Sequence, residues 1–100
     1  MNRFNLLRKK AVPILKPYAS RITIFGSYAR GEETSKSDID ILIALKSPDK
    51  RPPLGLSFFG IQEKLSQTLG RPVDLATEDD LSPYLRPNIE KDKVVIYEER

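Results

Sequence analysis

The chain has no cysteine. A disulfide framework and any thiolate-bound metal are therefore excluded. Histidine is absent too, which removes histidine triads, imidazole general bases and imidazole-bound zinc. Any catalysis must run on carboxylates, hydroxyls, lysines, arginines and a bound metal. No apolar run approaches the ~20 residues of a membrane span, and the basic N-terminus lacks the apolar stretch of a signal peptide. No membrane contact and a cytoplasmic location are expected. There is no internal repeat or low-complexity tract, and the proline cluster from Ser47 to Pro53 reads as one loop.

What is present is ordinary in amount. With 39% hydrophobic and 31% charged residues, the 100 residues are expected to form one domain, 1–100, around one core. Seventeen Lys and Arg against fourteen Asp and Glu give a net charge of +3, which a solvated surface accounts for. A nucleic-acid binder without catalysis is disfavoured, because the charge is small and the aromatics are not interleaved with it. No direct nucleic-acid contact is expected.

The periodicity predicts the elements. Phe4, Leu7, Ala11 and Ile14 follow helical spacing, with a kink or a fresh start expected near Pro13. Arg21 to Phe25 reads as a strand entering a tight turn at Gly26-Ser27. Asp38 to Leu45 is the clearest strand, with Ile39, Ile41, Ile43 and Leu45 on one face and Asp38, Asp40, Leu42 and Ala44 on the other. Phe58, Ile61, Leu65 and Leu69 mark a second helix, closed by Gly70. Arg71 to Ala76 is a third strand, with Asp74 opposite Val73 and Leu75. A helix carrying Leu81, Leu85 and Ile89 and a strand at Val94 to Tyr97 follow. The order α-β-β-α-β-α-β predicts an α/β (α+β) fold, a small mixed sheet of about four strands with helices packed on one side.

Asp38 and Asp40 stand at i and i+2 of a strand, so their carboxylates face the same way. Such a pair repels, and each raises the other's pKa, unless a cation lies between them. Taken alone, Asp-x-Asp suits a water-exposed strand end equally well. Three features favour chemistry. The aspartates begin a strand with a wholly aliphatic opposite face, which supplies the rigidity a hard, oxygen-ligated cation demands. Asp74, on another strand, could converge on them, and three carboxylates suit two Mg²⁺ ions ~3.5–4 Å apart. Gly26 would allow backbone N–H groups close to a phosphate, and Ser27 adds a hydroxyl.

Ten residues separate Ser27 from Asp38-Ile39-Asp40. The stretch Phe25-Gly26-Ser27-Tyr28-Ala29-Arg30-Gly31-Glu32, followed by Ser37-Asp38-Ile39-Asp40-Ile41-Leu42, resembles the core motif of the DNA polymerase β-like nucleotidyltransferases. Among these it is most similar to the minimal nucleotidyltransferases (MNT), antitoxins that act beside HEPN-domain partners. Val73-Asp74-Leu75 fits the family's third-carboxylate strand, and Ile89 through Glu98 resembles its ending. The resemblance implies that Asp38 and Asp40 ligate both metal ions. It implies that Asp74 completes the site and accepts or orients the proton of an attacking hydroxyl. Gly26 and Ser27 would bind the terminal phosphates of ATP. Arg30 is a candidate nucleotide-binding residue, or the partner of Glu32 or Asp38 in an ion pair; the sequence leaves both open. Glu32 and Glu33 read as solvated loop charges, and Ser37 as a cap on local backbone.

Larger relatives carry a helical domain that grips the acceptor. The shortness of this chain leads us to expect that a partner protein, or a second copy, holds it. The resemblance implies a HEPN RNase toxin whose tyrosine hydroxyl receives AMP, which would repel RNA. Leu54, Leu56, Phe58 and Phe59 read either as anchors of the loop and core or as a docking or self-association face. Two rivals stand beside this reading: a non-catalytic antitoxin acting by steric binding, and a nucleotidyltransferase acting on a small molecule or an RNA end. Survival of Asp38, Asp40 and Asp74 disfavours the first, and the lack of a second domain or a strong basic stripe the second.

Overall fold

The computed structural model describes residues 3–34, 36–54 and 57–99. Helix α1 spans Phe4–Leu15 and leads into strand β1, Ala19–Phe25. The turn expected at Gly26-Ser27 is a five-residue helix, α2, Gly26–Arg30. Strand β2 is Ile39–Leu45, helix α3 is Ser57–Leu69 and strand β3 is Val73–Thr77. After a 3₁₀ turn at Glu78–Asp80, helix α4, Arg86–Asp92, precedes strand β4, Val94–Glu98.

The strands form one mixed sheet in the order β3-β2-β1-β4. β2 runs antiparallel to β1 and parallel to β3, and β4 runs antiparallel to β1. The two long helices cover one face. Leu7, Ala11 and Leu15 of α1 and Ile61 and Leu65 of α3 pack there on Ile22, Ile24, Ile39, Ile41, Ile43, Val73 and Leu75. The aliphatic face expected of β2 is thus the core face. Each fully buried Leu or Ile contributes about 1.5–3 kcal/mol relative to exposure.

Three expectations need correction or refinement. Helix α1 neither breaks nor restarts at Pro13. That proline is exposed in the last turn, where a missing N–H leaves only one carbonyl to water. Leu81 lies outside the fourth helix, and Leu85 only caps it. Pro83 disfavours helical backbone at the residue before it, whereas Pro87 sits in the first turn, where proline is tolerated. Not every helix packs on one side: the 3₁₀ turn and α4 fold under the opposite face of the sheet, where Thr23, Leu42 and Ile89 are buried. Arg21 ties that layer down, with two hydrogen bonds to Glu78 of 2.9 and 2.6 Å. Among the described residues, no helix is long and apolar enough to cross a membrane.

Candidate active site

The half of the lower face left uncovered lies at the N-terminal ends of β2 and β3. In the parallel β2–β3 register Asp40 stands opposite Asp74, and in the antiparallel β1–β2 register it stands opposite Phe25. Paired residues of neighbouring strands project to the same face, so two carboxylates share one side of a rigid sheet. Asp38 is exposed just before β2 begins. Burial lifts the Asp40 carboxyl above its ordinary pKa, the negative charges of Asp74 and Asp38 lift it further, and Arg30 opposes them. Both of the other expected carboxylates therefore act on Asp40.

They do not close on a point. Among the described residues, no group of three or more acidic side chains is gathered tightly enough to hold a metal ion as it stands. The donor set nonetheless fits a hard divalent cation. It is all oxygen and anionic, it stands on adjacent strands, and its most buried member carries an electrostatic penalty that a cation would relieve.

Gly26 is the hinge between β1 and the site. Its φ is +74°, a left-handed conformation natural to glycine alone. A Cβ built there would overlap Asp40 Oδ2 and stand 3.1 Å from Asp40 Cγ. The backbone at the start of α2 therefore abuts the Asp40 carboxylate directly. First-turn N–H groups of a helix lack intrahelical partners. The Ser27 side chain beside them is half-buried and makes no hydrogen bond among the described residues. Arg30 closes α2 and pairs with Glu32 at 2.6 Å and with Asp92 of α4 at 3.5 Å. Of the pairings expected for it, the structure shows Glu32 and not Asp38.

Other polar residues frame the site in ways the sequence reading did not anticipate. Gln62 Oε1 accepts from the Leu75 N–H and Ser66 Oγ from the Val73 N–H, both at 3.0 Å. These bonds secure the outer edge of β3 on either side of Asp74. One turn apart, the two residues follow the buried Ile61 and Leu65, and that position at the margin of the core face was the available signal. Glu33 is not a solvated loop charge. It is paired to Arg3, whose guanidinium lies 4.4 Å from the centre of the Tyr28 ring. A contact across thirty residues leaves no local trace. Ser37 does cap local backbone, accepting from Thr34 N–H at 2.9 Å. Leu54 and Phe58 pack against the core, Phe59 is 73% exposed, and Leu56 lies outside the described residues.

The chain is similar to known proteins over most of its length. The model of the family described as "Nucleotidyltransferase domain" matches residues 8–96. A relative from Methanocaldococcus jannaschii, provisionally named protein adenylyltransferase MJ0128, is 40% identical over 95 residues, which is 92% of either chain. A solved structure provisionally described as a minimal nucleotidyltransferase superposes with a TM-score of 0.73 at 29% identity, covering 91% of this chain and 90% of that one. The fold also matches, with a TM-score of 0.70 at 22% identity, a chain in the complex of tri-AMPylated Shewanella oneidensis HEPN toxin with MNT antitoxin. That match covers 94% of this chain and 71% of the other.

Proposed function

The chain belongs to the nucleotidyltransferase domain family, and from that premise we propose that it is a cytoplasmic antitoxin that transfers AMP from ATP, with Mg²⁺, onto a tyrosine hydroxyl of a HEPN RNase toxin. The single observation that carries the catalytic part is the Asp40–Asp74 register pair with the Gly26 backbone packed against Asp40. The partner is supported by the protein adenylyltransferase name of the relative and by the toxin complex that shares the fold.

In this reading Asp38 and Asp40 hold two Mg²⁺ ions, and Asp74 completes the site. Bound there, magnesium supplies charge stabilisation for displacement at the α-phosphate. Ser27 and the backbone N–H groups after Gly26 receive the terminal phosphates, and Arg30 offsets their charge. The acceptor oxygen bonds to the α-phosphorus while the bond from that phosphorus to the pyrophosphate oxygen breaks. Asp74 is the base that takes or orients the hydroxyl proton, since the chain has no histidine for the task. Residues 1–100 act as one catalytic domain, and the partner protein presents the acceptor.

Mass spectrometry of a HEPN protein co-expressed with the chain tests the proposal. The expected result is one or more adenylyl additions on a tyrosine, absent with an Asp38→Asn/Asp40→Asn chain. An unmodified partner that is nevertheless neutralised equally by both chains would replace transfer with steric binding.

A further inference from the structure

Asp92 is out of place by the local rules of its own helix. It is the last residue of α4, where the backbone dipole disfavours a negative charge. Its side chain is only 25% exposed, so water does little to offset that cost. The explanation is tertiary. From the 3₁₀ turn beneath the C-terminal half of β2, α4 runs back to meet α2, and its final carboxylate stands 3.5 Å from Arg30 Nη1. Glu32 takes Nε of the same guanidinium at 2.6 Å.

The two acids differ in kind. Glu32 lies two residues from Arg30 and is 63% exposed, so solvent screens that pair and it constrains little. Asp92 belongs to a different layer of the fold and reaches the guanidinium from an ordered helix end. Together they engage Nε and Nη1 of the guanidinium. Arg30 itself is carried on the short helix whose first residue abuts Asp40.

We propose that Asp92 is a positioning residue for nucleotide transfer: from the end of α4 it fixes the Arg30 guanidinium beside Asp40, oriented to receive the anionic phosphates. This inference rests on the nucleotidyltransferase reading of the site. Its rival is a strut that joins α2 to α4 without regard to substrate.

The two are separated by calorimetric binding of a non-hydrolysable ATP analogue with Mg²⁺ to the full chain and to Asp92→Ala, Asp92→Glu, Arg30→Ala and Asp92→Ala/Arg30→Ala, with melting temperatures measured alongside. Asp92→Ala is expected to weaken binding about two- to fivefold, in keeping with a partly screened ion pair. Asp92→Glu should restore most of the loss. In the Arg30→Ala background, Asp92→Ala should cost nothing more, because its effect passes through Arg30. Unchanged affinity in Asp92→Ala, with or without a lowered melting temperature, would overturn the proposal, as would a loss that persists undiminished without Arg30. A wild-type chain that binds no nucleotide would instead remove the functional reading, and this inference with it.

Discussion

The Asp40 carboxylate fills the space that any side chain on Gly26 would require. The glycine that follows β1 and the aspartate near the start of β2 are thus a single fitted unit, and each constrains what the other position can be.

Replacing Gly26 by Ala should accordingly fail on two counts. The new Cβ would meet Asp40, and the residue would be held at φ +74°. A loss of about 1–3 kcal/mol in urea unfolding is expected, together with loss of transfer, because the shift forced on Asp40 moves its oxygens. Unaltered stability and activity would mean that the close approach is not required.

Asp40 carries a pH signature that can be read in metal-free protein. Its carboxyl titrates above the ordinary aspartate value because of burial and then the charges of Asp74 and Asp38. A raised folded pKa contributes stability below the unfolded value, and that contribution is lost as pH rises through the folded value. In EDTA, Asp40→Asn should therefore gain on the wild type as pH rises through this window, and melt above it at neutral pH. Added Mg²⁺ should raise the wild-type melting temperature and leave the variant's nearly unmoved. Parallel melting curves across pH would refute the assignment.

Gln62 gives a test away from the charges. Gln62→Ala removes the acceptor of the Leu75 N–H and should cost about 0.5–1.5 kcal/mol. Hydrogen exchange at the Leu75 amide should quicken more than at Ile41, and turnover should fall through looser placement of Asp74. Uniformly faster exchange across the sheet would point to general destabilisation instead.

Glu33 behaves oppositely to Asp40. Its hydrogen bond from Arg3 holds its carboxyl below the ordinary glutamate range. That contribution is present above the unfolded pKa and lost as pH falls through the folded one. Glu33→Gln should therefore destabilise the chain at neutral pH, with the difference from wild type shrinking in acid and in high salt. A difference constant from neutral pH to below the folded value would rule out the ion pair as its source.

Local chemistry made much of the molecule legible in advance. Alternation in Ile39 to Leu45 gave the core face of β2, helical spacing marked α1 and α3, and Gly70 ended α3 with φ +73°. The Gly26-Ser27 and Asp38-x-Asp40 stretch could be recognised by its resemblance to the nucleotidyltransferase motif because that motif lies within sixteen consecutive residues, Phe25 to Asp40. Other relationships could be decided only by the tertiary structure. Opposition of Asp74 to Asp40 depends on the parallel register of two strands joined through α3. The hold of Asp92 on Arg30 and of Arg3 on Glu33 joins residues far apart in the chain. Pattern and propensity act over a few residues. Pairing across the sheet is set by how the layers pack, so the sequence by itself determined which groups the chain possesses, and the packing decided which of them meet.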